Sequence, residues 1–96
     1  MFAERLGCDP RTSLEVLRAG GAYSRAMDTK GGKMLSGGFE PQARLAQHLK
    51  DVRLIVEAAE QCGAKTPLSG LHRELLEEAV RIGLGDLDNS AIIRVF

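Results

Sequence analysis

Between Phe39 and Cys62, apolar residues fall at Leu45, Leu49, Val52, Val56 and Ala59, in steps of four, three, four and three. That spacing keeps one stripe on one side of an α-helix. It predicts a single long helix over Phe39–Cys62, with Pro41 near its first turn and Gly63 closing it. At about 100° per residue, Arg44, Arg53, Glu57 and Glu60 form a charged ridge beside the stripe. The remaining side carries Ala43, Gln47, Lys50, Asp51, Leu54 and Ala58, small and uncharged except for Lys50 and Asp51. A helix apolar on two sides is usually covered on two sides, by its own domain and by something else. At this point Lys50-Asp51 has two readings. It is a solvated lysine beside a helix-surface aspartate, or it is a site.

The rest of the chain reads as shorter helices separated by glycines. Phe2, Ala3 and Leu6 look like the last turns of a helix that stops at Gly7. An apolar helix with no cap at residue 1 suggests that something upstream is missing. Asp9-Pro10 supplies an N-cap and a first-turn proline, with Leu14, Val16 and Leu17 as the buried side and Gly20-Gly21 as the stop. Tyr23 to Leu35 predicts a weaker helix, with Tyr23, Met27 and Met34 inward and Gly31-Gly32 loosening it. Pro67 opens a helix to about Ile82, with Leu68, Leu71, Leu75, Leu76, Ala79 and Val80 as its stripe. After Gly83-Leu84-Gly85, Asp88-Asn89-Ser90 caps a short C-terminal helix carrying Ile92, Ile93, Val95 and Phe96. No stretch alternates with period two over strand length. The expected fold is a single all-α domain over residues 1–96, a bundle of about five helices.

Composition narrows the function. Thirteen basic and thirteen acidic residues cancel, which removes any electrostatic reason to expect nucleic acid or an acidic membrane surface as partner. Cys8 and Cys62 stand far apart, without CxxC or His at ligand spacing, and read as buried or reduced thiols. No apolar run approaches the length of a membrane span, and MFAERLG lacks a signal-peptide core, so the cytoplasm is the default compartment.

The motifs that would announce chemistry on their own are missing. Lys30-Gly31-Gly32-Lys33 is neither GxGxxG after a strand nor a phosphate loop. Asp86-Leu87-Asp88-Asn89-Ser90 starts like a calcium loop, but the sixth position is Ala91 and the chain ends before the twelfth; an N-cap explains it better. His48 and His72 read as helix-surface residues outside any HExxH, and no metal site is expected. Ser13, Ser24 and Ser69 lack GxSxG context. Basic residues are spread over every helix, unlike a DNA-recognition helix.

The order of several pieces resembles the C-terminal domain of the β-hydroxyacid dehydrogenases. That family includes 3-hydroxyisobutyrate dehydrogenase, tartronate semialdehyde reductase and the glyoxylate/succinic semialdehyde reductases. Leu6-Gly7-Cys8-Asp9-Pro10 looks like the family's helix break before the domain. Gly20, Gly21 and Ser24 sit where its glycine-rich turn and serine lie. Phe39-Glu40-Pro41, then Lys50-Asp51-Val52 with Leu54 and Ala58, follows its FxP…KDxxLAxxxA signature, with Ile55 in place of one alanine. Pro67-Leu68 and Gly85 to Ala91 match its closing segments.

The resemblance implies a fold like the C-terminal domain of 6-phosphogluconate dehydrogenase, preceded in the intact enzyme by a Rossmann domain that binds NAD or NADP and by a linking helix that carries a catalytic lysine. Met1 to Leu6 would then be the end of that linking helix. No catalytic residue is expected in this chain, and no cofactor bound by it alone. Lys50, Asp51, Gln47, Ala43 and Ser24 are the expected lining of the substrate and cofactor cleft, with Lys50 binding substrate or the nicotinamide side and Asp51 holding the geometry. Two positions depart from the family, which often has an aromatic at Ala43 and Leu or His at Gln47, and this suggests an altered or wider pocket. The resemblance also implies a homodimer and a Rossmann domain as partners. The rival reading is a non-catalytic helical module for protein interaction or dimerisation, which would use the same two-sided helix.

Overall fold

The computed structural model describes residues 2–96. Five α-helices follow one another: α1 (Phe2–Arg5), α2 (Pro10–Ala19), α3 (Arg25–Ser36), α4 (Leu45–Cys62) and α5 (Pro67–Arg81), then a 3-10 helix, Asn89–Val95. Among the described residues there is no strand. Arg44 and Asp88 form one isolated antiparallel bridge. The chain divides into two compact units, one reaching to Gly38 and taking in Phe96, the other Phe39–Val95.

In the first unit, Asp9 caps α2 as its sequence requires. Its carboxylate accepts the Thr12 N–H at 2.7 Å and the Thr12 hydroxyl at 2.8 Å, and Pro10 occupies the first turn. α2 packs on α3, where Gly31 is buried against Leu14. The expected inward residues are corrected here. Val16 is 66% exposed, and Leu17 and Tyr23 are exposed as well. The periodicity of α2 marks an apolar side, but little in this unit covers it. Tyr23 instead donates its hydroxyl to Asp28, which also pairs with Arg18 at 3.1 Å.

The second unit holds the core. Leu45, Leu49, Val52, Val56 and Ala59, the stripe read from spacing, are all buried. Leu45, Leu49, Val52 and Val56 cluster with Phe39, Leu76, Ala79, Leu84 and Ala91, flanked by Leu87, Ile92, Ile93 and Val95. α4 and α5 are joined by a short turn at Gly63, whose φ of 71° is left-handed and open to glycine without a Cβ penalty. The Ala64 N–H donates to Ala59 O and the Gly63 N–H to Glu60 O, which satisfies the last carbonyls of α4 in a Schellman motif. Gly83 closes α5 the same way, with Leu84 N–H on Ala79 O and Gly83 N–H on Val80 O.

Two expectations fail in this unit. α4 begins at Leu45, not Phe39. On α5, Leu68 is 81% exposed and Leu71 is exposed too, whereas Leu76 and Ala79 are buried; the core takes only part of the stripe. The expected short C-terminal helix is present and is of the 3-10 type. Cys8 in the first unit and Cys62 in the second are both free thiols, as one of the two readings has it, and both are exposed.

Candidate functional site

The late start of α4 has a specific cause. The segment before it is held by the chain's far end. Asp88 is fully buried, and its Oδ2 accepts the N–H groups of Gln42 at 2.9 Å and Ala43 at 3.4 Å. Its Oδ1 accepts the Ser90 N–H at 3.1 Å and the Ser90 hydroxyl at 2.7 Å. The backbone adds more: Asp88 N–H donates to Phe39 O, and Asn89 N–H to Ala43 O. A helix starting at Phe39 would need the Ala43 N–H on Phe39 O and the Gln47 N–H on Ala43 O; both carbonyls instead accept from Asp88 and Asn89, so the α4 ladder starts later.

α4 also lacks a side-chain cap at Arg44. The first amides of a helix have no intrahelical partner, and here a neighbouring segment supplies them. Leu45 N–H donates to Leu87 O at 2.9 Å and Ala46 N–H to Gly85 O at 3.0 Å. The Phe39 ring, buried below this segment, carries the Arg94 guanidinium 4.6 Å from its centroid.

This arrangement presents the outward side of α4. Ala43, Gln47, Lys50, Asp51, Leu54 and Ala58 are all exposed. Ala43 and Gln47, with Pro41, Gln42 and Arg44, line a shallow depression of about 340 Å³. One turn on stand Lys50 and Asp51, which make no ion pair or side-chain hydrogen bond among the described residues. Further along, Leu54, Glu57, Ala58 and Gln61 line a second depression of about 270 Å³. Four of the five residues singled out from sequence therefore share one stretch of surface. Ser24 lies in the first unit, exposed, at the N-cap of α3 without a capping hydrogen bond from its side chain.

Two features escaped the sequence reading. Asp88 was legible only as a local cap, because its partners lie 46 and 45 positions away. His48 and His72 are half-buried and face each other across α4 and α5, with ring centroids 5.0 Å apart and planes tilted by 58°; spacing within one helix does not reveal such a pair. Among the described residues, no group of three or more His, Cys, Asp or Glu side chains is placed to hold a metal, and no helix is long and apolar enough to cross a membrane.

The second unit is all-α among the described residues and exposes one side of its longest helix. The family described as "NAD-binding of NADP-dependent 3-hydroxyisobutyrate dehydrogenase" matches residues 1–96, and the chain belongs to it, as the C-terminal domain of the β-hydroxyacid dehydrogenases. The chain is 30% identical over 94 residues to 2-hydroxy-3-oxopropionate reductase of Escherichia coli, covering 98% of this chain and 32% of that one. It is 32% identical over 91 residues to the cytokine-like nuclear factor N-PAC of Aedes aegypti, covering 95% and 16%. The fold of 3-hydroxyisobutyrate dehydrogenase from Salmonella typhimurium superposes with a TM-score of 0.94 at 22% identity, over 99% of this chain and 33% of that one. The chain thus spans about a third or less of the length of these relatives.

Proposed function

We propose that this chain is the C-terminal substrate and dimerisation domain of an NAD(P)-dependent β-hydroxyacid dehydrogenase, and that the outward side of α4 lines the catalytic cleft. The observation that supports this most directly is the exposed run Gln47, Lys50, Asp51 on a helix whose opposite side is buried in the core, with exposed Ala43 just before that helix. In the intact enzyme a Rossmann domain would cover that run. The reaction is reversible oxidation of a 3-hydroxy acid to its semialdehyde or keto form. A hydride leaves the carbinol carbon and the hydroxyl proton goes to a base outside this chain.

The donor set fits such a ligand. The Lys50 ammonium and the Gln47 amide, one turn apart, suit a substrate carboxylate or the carboxamide of a nicotinamide ring. When bound, the nicotinamide supplies the hydride acceptor. Lys50 would bind and orient the anionic end of the substrate. Asp51, beside it, would hold the local charge geometry. The dinucleotide's phosphates would belong to the Rossmann domain, because no glycine-rich loop following a strand occurs among the described residues. A relative from Mycobacterium tuberculosis, 24% identical with a TM-score of 0.85, was solved with L-serine, itself a 3-hydroxy acid.

The test is turnover. The full-length enzyme carrying this domain should reduce or oxidise hydroxy-acid substrates with NAD(H) or NADP(H), and the 96-residue chain alone should not. Robust cofactor-dependent turnover by the isolated chain would overturn the division of labour. A second reading, a non-catalytic interaction module, draws on the match to N-PAC, a cytokine-like nuclear factor. Absence of turnover in the full-length protein would favour it.

A further inference from the structure

We propose that Asp88 is the positioning residue of the α4 surface: a buried carboxylate that clamps residues 41–44 and so fixes Ala43 and Gln47 where a ligand would meet them. The kinetic half of this inference rests on the dehydrogenase reading; the structural half does not.

A carboxylate buried this completely is costly unless hydrogen bonds replace its water. Asp88 is fully buried, and both of its oxygens are used. One serves its own end of the chain, through the Ser90 N–H and hydroxyl. The other reaches the Gln42 and Ala43 N–H groups. These four donors fall into two separate jobs. The Ser90 bonds shape the turn into the 3-10 helix. The Gln42 and Ala43 bonds fix a loop that would otherwise carry open amides.

Those two amides belong to the depression lined by Pro41, Gln42, Ala43, Arg44 and Gln47. The same strand of chain is tied at both ends of the clamp, by Asp88 N–H on Phe39 O and Asn89 N–H on Ala43 O. The first turn of α4 is tied as well, by Leu45 and Ala46 on the carbonyls of Leu87 and Gly85. The segment 85–89 therefore sets both the shape of the loop and the start of the helix that carries Lys50. Asp88 touches no ligand in this role. It acts through the backbone of Gln42 and Ala43.

The experiment compares Asp88→Ala, Asp88→Asn and Ser90→Ala. Amide hydrogen exchange on the 96-residue chain gives the structural readout. Asp88→Ala should lower protection at Gln42 and Ala43 by at least about tenfold, while Leu49 and Val52 keep theirs. Ser90→Ala leaves Oδ2 in place and should spare Gln42 and Ala43. Should Asp88→Ala not fold, Asp88→Asn carries the test, because it keeps the shape and weakens the acceptor; about a threefold loss confined to those two amides is expected. Unchanged protection at Gln42 and Ala43, or an equal loss in Ser90→Ala, overturns the clamp.

In the full-length enzyme, Asp88→Asn should raise KM for the hydroxy acid by about tenfold and change kcat by less than about threefold, with Ser90→Ala near wild type. An unchanged KM overturns the positioning role even if exchange responds. Wild-type enzyme that turns over no hydroxy acid sinks the dehydrogenase reading, and the exchange result still decides the clamp.

Discussion

The two methyl groups of Leu14 lie 2.8 and 2.9 Å from the point where a Cβ on Gly31 would stand. Real Cβ atoms do not come that close, so α2 and α3 meet at a separation that Gly31 permits. Its neighbour Gly32 has nothing within 4 Å of the same construction. The two glycines look alike in sequence, where both read as weak points in a helix.

They should respond unequally to alanine. Gly32→Ala adds helix propensity at an exposed site and should stabilise by about 1 kcal/mol. Gly31→Ala gains the same propensity but must push aside the ends of the flexible, half-buried Leu14 side chain, which offsets part of the gain. A smaller stabilisation than for Gly32→Ala is expected. Denaturant unfolding of both variants checks this. Equal stabilisation would mean that Leu14 yields freely and that the contact sets nothing.

How much of this was readable from residues alone differs between elements. The stripe of α4 was fully legible, because it is a local period and each of its five members is buried. The Asp9 cap was legible because its acceptor and donor are three residues apart. The start of α4 was not, because the competing acceptor is Asp88, far along the chain. Nor was the exposure of Val16, Leu17, Leu68 and Leu71. Periodicity shows which side of a helix is apolar, and it says nothing about whether the covering surface lies in the same chain. For the site, the pattern identified the side of α4 that carries Lys50, while its place in a catalytic cleft rests on family resemblance.

Acid should loosen the start of α2. The backbone N–H and the hydroxyl of Thr12 hold the Asp9 carboxyl below the ordinary range, with Arg11 adding to the effect. A depressed folded-state pKa means a contribution that is present above the unfolded value and lost as pH falls through the folded one. The Thr12 amide shift, followed by NMR during acid titration, should therefore report a midpoint below that of a free aspartate. Asp9→Ala should abolish the step. A midpoint at or above the free value would show that the cap does not favour the ionised form.

Lys50 should matter for chemistry and not for folding. It is exposed and has no ion pair among the described residues, so Lys50→Met, which keeps the stem and removes the charge, should change stability by less than about 1 kcal/mol. In the full-length enzyme the same change should lower kcat/KM at least about tenfold, which is about 1.4 kcal/mol of transition-state binding. Wild-type kinetics in the variant would return Lys50 to the ordinary surface lysines and remove the main support for a cleft on this side of α4.

The isolated chain should self-associate, with a dimer as the simplest product. In the second unit, Leu68 and Leu71 on α5 and Leu54 and Ile55 on α4 are exposed. In the first unit, Val16 and Leu17 line an open apolar depression of about 560 Å³ together with Ala3 and Cys8. Contiguous apolar surface beyond a few hundred Å² is uncommon on soluble monomers. A net charge of zero offers little repulsion against association. Two-fold pairing is the commonest closed arrangement, and a standard interface would bury roughly 1,600 Å² in total. Leu68 and Leu71 are the residues to change, because both project from α5 and neither belongs to the core cluster. Sedimentation equilibrium at micromolar concentration should give a mass near twice 10.4 kDa for the wild type. The double variant Leu68→Glu, Leu71→Glu should shift that population toward monomer while keeping its helical circular dichroism. A clean monomer for the wild type across the range would reject self-association and would leave these leucines to a different partner chain. A dimer that survives the double variant would keep self-association but move the interface off α5, to the surface of α4 or of α2.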